Sequence, residues 1–255
     1  MPEDFGLGER WHKVIDALHA VMPVYDRVNH IISFGRDRVY REEGIINALP
    51  SAELVLDAGC GPGVMSEVAL KKLKINNLVL LDPMLDYLNI AKKRLADNSP
   101  EMVLGLFEAL PFKTGIFDLI MCGFSLRDSI NMNLALGEIS KALKKDGKFV
   151  VVDLGKPDNF LKRWMIGIWW RFIVPLITIV LVKKRGLFYT ALYTTYKKLP
   201  KNRELKRNLS IWFSEVIFRV RMLGGVVIVT AKKRKYDYDT HAGEDFYLTE
   251  NRKIS

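Results

Sequence analysis

At 255 residues, 49% apolar and 27% charged, the chain is long enough for one large α/β domain with a full core, and its composition excludes wholesale disorder. The net charge of +10 is unevenly placed: residues 156–235 carry 19 Lys plus Arg against 3 Asp plus Glu, a net of +16 that leaves −6 for the rest, so one segment invites nucleic acid, anionic lipid or merely solvent. Two cysteines, Cys60 and Cys122, and four histidines, His12, His19, His30 and His241, form no disulfide framework and no metal-ligand pattern; no metal is expected, no signal peptide is read at the N-terminus, and a reducing cytoplasm fits.

Residues from about 10 to 49 predict two or three amphipathic helices. Val14, Leu18, Val21 and Met22 recur at helical spacing, as do Val28, Ile31 and Ile32, and Pro23 punctuates the first helix. Short apolar runs then follow at 53–57, 77–82, 102–106, 117–122 and 148–153. They alternate with helical periods at 64–73, 84–95 and 132–143. Such alternation predicts βαβ units and a parallel sheet covered on both faces. After Asp158 the pattern breaks: 164–182 is 19 residues, nearly all apolar, interrupted by Arg171 and Pro175. Runs at 215–220 and 225–230 read as two last strands. From Arg234 the chain is polar and tyrosine-rich, and residues 234–255 are expected to be a mobile tail. The expected fold is α/β, a Rossmann-like doubly wound, seven-stranded, mostly parallel sheet. An N-terminal helical cap is expected over 1–50 and the sheet domain over 51–233, with an apolar and basic helical insertion at about 158–210 before the last two strands.

Between the first run and its helix stands Asp57-Ala-Gly-Cys-Gly-Pro-Gly63. A glycine turn at this place lets a ligand approach the backbone closely. Dinucleotide sites favour Gly-x-Gly-x-x-Gly facing a pyrophosphate. Here Gly59, Gly61 and Gly63 are evenly spaced behind a carboxylate, which suits a ligand with a cationic end and no phosphate. S-adenosylmethionine is such a ligand. Asp57 is the candidate to orient its amino-acid end, directly or through backbone and water, and the glycines make room for the methionine backbone. Asp82, 19 residues after Gly63, offers two acceptor oxygens to the ribose hydroxyls. Pro83 and Met84 follow in the cofactor set, Met84 and Leu85 being candidates to line the adenine pocket. Phe107 and Glu108 complete it. The competing reading is a βα turn of an unrelated α/β protein, with Asp82 as a helix cap. Cys60 reads as a small filler in the loop and Cys122 as buried packing.

With these motifs in place, the chain resembles the ubiquinone/menaquinone biosynthesis C-methyltransferase family, among the class I S-adenosylmethionine-dependent methyltransferases, over about residues 22–233. Tyr25-Asp-Arg-Val-Asn29 with Ser33, Gly35 and Arg41 is similar to the family's N-terminal signature. The glycine loop is shared more widely. Glu108-Ala-Leu-Pro-Phe112, Phe117-Asp118 and Gly123-Phe-Ser-Leu-Arg-Asp128 match in order and spacing, as do Lys156-Pro157, Leu199-Pro200 and Gly224-Gly225-Val226. There are departures. Leu106 stands where the family usually has an aspartate for the adenine amino group, and Glu108, on the same side of an extended strand, is the candidate substitute. Asp37 stands where a histidine is common, and Asp128 where an asparagine is common.

The resemblance implies transfer of a methyl group to a ring carbon of a reduced polyprenyl quinone. The sulfonium methyl is already electrophilic, so the protein's work is alignment and exclusion of water. Loss of a phenolic proton makes the ring a better nucleophile. The catalytic candidates are Tyr25, Arg127 and Asp128. Arg127 would stabilise the phenolate, and Asp128 would accept a proton or hold Arg127. Tyr25 would close the pocket with Asn29, one helical turn on. The competing reading makes Arg127 and Asp128 a local ion pair, and Asp26 only a helix-terminal cap. The 164–182 stretch spans a membrane, lies on it as a lid, or is buried. With Trp164, Trp169 and Trp170 beside the +16 segment, an anionic membrane surface is the expected partner, met peripherally from the inner, cytoplasmic face. Another small molecule or lipid remains an alternative acceptor, and a homodimer is left open. Two rival classes stand against this. An RNA methyltransferase would show an Asn/Asp-Pro-Pro-aromatic run where Cys122-Gly-Phe-Ser125 stands, so nucleic acid is not expected. A non-catalytic binding protein has only Leu106 in its favour.

Overall fold

The computed structural model describes residues 5–183, 186 and 190–234. The expected C-terminal tail lies, beyond Arg234, outside the described residues. Three helices come first, α1 (Trp11–Val21), α2 (Tyr25–Ile32) and α3 (Asp37–Ile46). The sheet domain follows with β1 (Ser51–Ala58), α4 (Val64–Lys72), β2 (Lys74–Asp82), α5 (Leu85–Arg94), β3 (Glu101–Leu104), β4 (Phe117–Gly123), α6 (Met132–Ala142) and β5 (Leu143–Leu154). The seven strands lie in the order β3-β2-β1-β4-β5-β7-β6, where β6 is Phe213–Arg221 and β7 is Val226–Lys233. The β1–β2, β1–β4, β2–β3 and β4–β5 pairs are parallel, while β7 runs antiparallel to both β5 and β6.

Both sheet faces are buried, which is why the strands read as continuous apolar runs. Successive side chains still alternate between two cores. Leu56, Ile120, Val151 and Val229 face α6 and α10 (Asn202–Trp212), packing with Leu136, Ile139, Leu205 and Leu209. Val55, Met121, Val150 and Ile228 face the other way, with Tyr40, Met65 and Leu88 of α3, α4 and α5. Gly44 lets α3 lie directly on the sheet: a Cβ there would stand 2.9 Å from Val152 and 3.0 Å from Val150.

The insertion carries one long helix from Phe160 to Val182, of a length and apolarity that would cross a membrane. Its parts are α7 (Phe160–Ile168), a π turn over Trp169–Ile173 and α8 (Val174–Val182). The π turn precedes Pro175, whose missing N–H and bulky ring disturb the regular ladder. Ile166, Trp170 and Val174 form one buried stripe, packed with Val21, Val28 and Ile32 of the N-terminal helices and Tyr196 of α9 (Thr190–Lys198). The remaining faces are apolar and open: Phe160 is 73% exposed, Trp164 57%, Leu176 62% and Val180 76%. A plain buried helix pair therefore does not describe the 164–182 stretch. The expected α/β fold, with its mostly parallel seven-stranded sheet and apolar helix before the last strands, is the one observed.

Candidate active site

Strand-end carboxylates and glycines with positive φ build the upper edge of the sheet. Gly59 (φ +66°), Gly61 (φ +52°) and Gly63 (φ +81°) adopt the left-handed conformation that a Cβ disfavours. Each has a different reason. A Cβ on Gly59 would meet Phe107 Cζ at 2.6 Å and Ser125 Cβ at 2.7 Å. One on Gly63 would meet Ala91 Cβ at 3.1 Å, so this glycine admits α5. One on Gly61 would meet nothing within 4 Å, because Gly61 faces open cavity.

That cavity, about 760 Å³, is lined by the loop at Gly59 and Gly61, by Asp82, Pro83 and Met84, by Leu106, Phe107 and Glu108, and by Tyr25 and Asp128. Asp82 Oδ2 accepts from Gly61 N–H (2.8 Å) and Oδ1 from Met84 N–H (2.9 Å). Each oxygen keeps a lone pair for a ligand hydroxyl. Burial pushes the Asp82 carboxyl up to about 6, against the pull of those two N–H groups.

Some candidates sit elsewhere than expected. Asp57 is fully buried and is not a lining residue: its Oδ2 accepts from Ser66 N–H (3.1 Å) and Ser66 Oγ–H (2.6 Å), pinning the first turn of α4. Burial raises it to about 7, opposed by Ser66 and Arg41. Gly63 likewise shapes the loop without lining the cavity. Leu85 is 57% exposed and turned away, because it opens α5 on the solvent side, so only Met84 of that pair lines the pocket. Glu108 does line it, but not by strand alternation: β3 ends at Leu104 and Phe107–Ala109 is a 3-10 turn. Its Oε1 accepts from Asn131 N–H (3.0 Å) and its Oε2 is buried without a partner. Asp26 provides no side-chain cap; it pairs with Arg94 instead.

A second cavity, about 640 Å³, adjoins the first. Tyr25, Arg41 and Phe124 line both. Its other walls include the apolar Ile32, Leu154, Ile166, Trp169 and Trp170, with Asn29, Ser33, Asp37 and Arg127 as polar members. Tyr25 and Asn29 of α2 thus do share one wall. Trp169 Nε1 is buried there without a partner.

Arg127 and Asp128 belong to a 3-10 turn, Leu126–Asp128, just beyond β4. Arg127 is 7% exposed, and its main partner is Asp153 at the end of β5, at 2.7 Å from Nη1 to Oδ1. Asp153 also accepts from Arg127 N–H at 3.0 Å, so it fixes both ends of the residue. Asp128 stands 3.4 Å from Nη2 and lines the first cavity, whereas Arg127 lines the second. Burial works against the Arg127 charge, but Asp128 and Asp153 outweigh it and hold the guanidinium above its usual value. Burial lifts Asp128 to about 6 despite Arg127, and its Oδ1 lacks a partner. Tyr25 is also raised, mainly by burial. The local ion pair therefore exists, but within the wall between two cavities. Sequence reasoning did not select Asp153, Arg41 or Phe124 as site residues. For Asp153 the available signal was a carboxylate closing an apolar strand, as Asp57 and Asp82 do.

The first cavity suits S-adenosylmethionine. Gly61 leaves room for the ligand, Asp82 keeps acceptors for ligand hydroxyls, and the orphaned Glu108 oxygen suits a cationic centre.

A family model described as the ubiE/COQ5 methyltransferase family matches residues 7–233. The chain is 26% identical over 232 residues to a demethylmenaquinone methyltransferase of Bacteroides fragilis, covering 89% of this chain and 94% of that protein. It is 29% identical over 160 residues to the ubiquinone/menaquinone biosynthesis C-methyltransferase UbiE of Campylobacter jejuni, covering 59% of this chain and 67% of that protein. Among solved structures, the plantazolicin methyltransferase BpumL in complex with SAH is similar with a TM-score of 0.61 at 14% identity, over 89% of this chain and 97% of that one. At that identity the likeness concerns the fold.

Proposed function

The chain belongs to the ubiE/COQ5 methyltransferase family and is an S-adenosylmethionine-dependent enzyme, and from that premise we propose that it methylates a ring carbon of a reduced polyprenyl quinone. The observation that carries the acceptor reading is the junction of two cavities, one acidic and beside the glycine loop, the other apolar and lined by tryptophans. The activity named for the Bacteroides and Campylobacter relatives supports the same acceptor.

When bound, S-adenosylmethionine supplies an electrophilic methyl carbon, released to the ring as its bond to sulfur breaks. Asp82 would accept from the ribose hydroxyls, and Gly61 would admit the methionine portion. Arg127, fixed by Asp153, presents permanent positive charge to the developing phenolate. Asp128 takes the phenolic proton through its unpartnered Oδ1 while the ring carbon bonds the methyl. Asp128 then returns its proton to the ring oxygen and accepts the hydrogen of the methylated carbon, which it releases to solvent as the ring regains aromaticity. Tyr25 closes the junction, and Trp169 Nε1 offers a donor to the other ring oxygen.

The helix from Phe160 to Val182 docks on an anionic membrane surface from the cytoplasmic side. Its exposed apolar faces and neighbouring basic residues support this, as does the contact of Phe34, 64% exposed, with Trp169 at 5.0 Å between ring centroids. A prenyl tail leaving the second cavity past Trp169 would meet apolar surface and then lipid.

The test is direct. Purified protein given S-adenosylmethionine and a demethylated polyprenyl quinol should yield a quinol heavier by one methyl group, with the new carbon bound to the ring. Turnover of S-adenosylmethionine on other lipids or on RNA, with no quinol product, would remove the acceptor assignment.

A further inference from the structure

We propose that Arg41 is the receptor for the carboxylate of S-adenosylmethionine, held in place by Asp37. The inference rests on assigning the first cavity to that cofactor and is independent of which acceptor fills the second.

Among the described residues, Arg41 is the only cation that lines the first cavity; the other charged ones are Asp82, Glu108 and Asp128. The cofactor carries an ammonium, a sulfonium and a single carboxylate. The acidic walls match the first two and repel the third. Only Arg41 complements it.

The guanidinium is already shaped for this. Arg41 is 3% exposed. Its Nη1 donates to Asp37 O (3.1 Å) and to Asp37 Oδ2 (3.2 Å), which uses one edge of the fork. Its Nε is buried without a partner, so one edge of the fork is unsatisfied. Its Cζ lies 4.7 Å from the Phe124 ring centroid, and that ring lines both cavities, so the plane is fixed by stacking. Asp37 is held in turn by His30 Nδ1 at 3.0 Å and by its own N–H donating to Ser33 Oγ at 3.1 Å.

A buried cation that lacks a partner on one edge is costly, and a ligand carboxylate removes the cost. Position agrees with charge. Arg41 is one of the three residues at the junction, whereas Asp82, Met84 and Phe107 line only the first cavity. The nucleoside therefore lies toward Asp82, and the amino-acid end, with its sulfur, lies toward the acceptor.

Two probes separate the carboxylate from everything else: S-adenosylhomocysteine and its decarboxylated analogue, which keeps the amine. Wild-type protein should bind the first about tenfold to a hundredfold more tightly by calorimetry, the range for a hydrogen-bonded charged pair. In Arg41→Met that gap should close while affinity for the analogue stays near the wild-type value. Arg41→Lys keeps the charge and the fold and should close it in part, which serves if the methionine variant does not fold. A gap that survives in both variants overturns the proposal. So does an equal loss of both ligands, which marks Arg41 as purely structural. Unchanged S-adenosylhomocysteine binding with a raised KM for the acceptor also overturns it, and assigns Arg41 to the acceptor instead. A wild type that binds neither ligand would overturn the cofactor assignment itself, a result distinct from the other three.

Discussion

Asp82 braces the glycine loop and the start of α5 with one oxygen each, which leaves each oxygen a lone pair for a ligand hydroxyl. Asp82→Ala should therefore weaken S-adenosylhomocysteine binding by about 1.5–3 kcal/mol, measured by calorimetry, and equal affinities would remove the ribose role. Asp128 has a different signature. Burial places its carboxyl at about 6, and a base works only when deprotonated. Below that value the proton is already on the carboxyl, so kcat/KM should climb as pH rises through about 6 and level off above it. Asp128→Asn, which installs the residue common at this position in the family, should erase that limb. A limb that persists in the asparagine variant would belong to another buried carboxyl, Asp82 at about 6 or Asp57 at about 7, and would end the assignment of Asp128 as base.

At the scale of the element, the β1–α4 turn works as a cradle because its glycines face different things. Gly59 faces side chains of the opposite wall and Gly61 faces the open cavity. Gly61→Ala puts its methyl group into the open cavity. It also incurs strain at positive φ on the order of 1–3 kcal/mol. The expected result is a loss of cofactor affinity larger than the loss of stability, read by comparing calorimetry with thermal unfolding of the ligand-free protein. If affinity falls no further than stability does, Gly61 is a turn residue only. The turn after β4 follows the same logic with charge in place of space: Asp153 on the neighbouring strand β5 clamps Arg127 at its backbone and at its side chain.

For the molecule as a whole, the question is what covers the long apolar helix. One stripe is buried against α1, α2 and α9, and the opposite side carries Phe160, Trp164, Leu176 and Val180 to the surface. Apolar patches of that kind mark a membrane or a partner. Vesicles containing anionic lipid should sediment the protein, and binding should fall with salt, since the Debye length is only about 8 Å at physiological ionic strength. Replacing Trp164, Leu176 and Val180 with serine should abolish sedimentation without lowering the melting temperature, because none of the three belongs to the buried stripe. Binding that survives those substitutions would move the docking surface elsewhere.

Much of this was legible in the residues alone, for a physical reason. A strand buried on both faces must be apolar throughout, and a helix beside it must be apolar on one side, so the alternation of the two periods exposes a parallel sheet before any contact is known. The glycine loop was equally plain, because positive φ at three positions demands glycine. What a side chain at a strand end points toward is set by its neighbours in space. Asp57 and Asp82 look alike in sequence, yet one turns inward to Ser66 and the other lines the cavity. Glu108 seemed to follow from strand alternation and instead arrives through a 3-10 turn. The pairing of Arg127 with Asp153 spans 26 residues and arises only because β4 and β5 are adjacent. The meeting of α3 and the two cavities at Arg41 was likewise beyond reach of spacing. Periodicity records what each element buries; only the packed chain decides which charges face one another across a cleft.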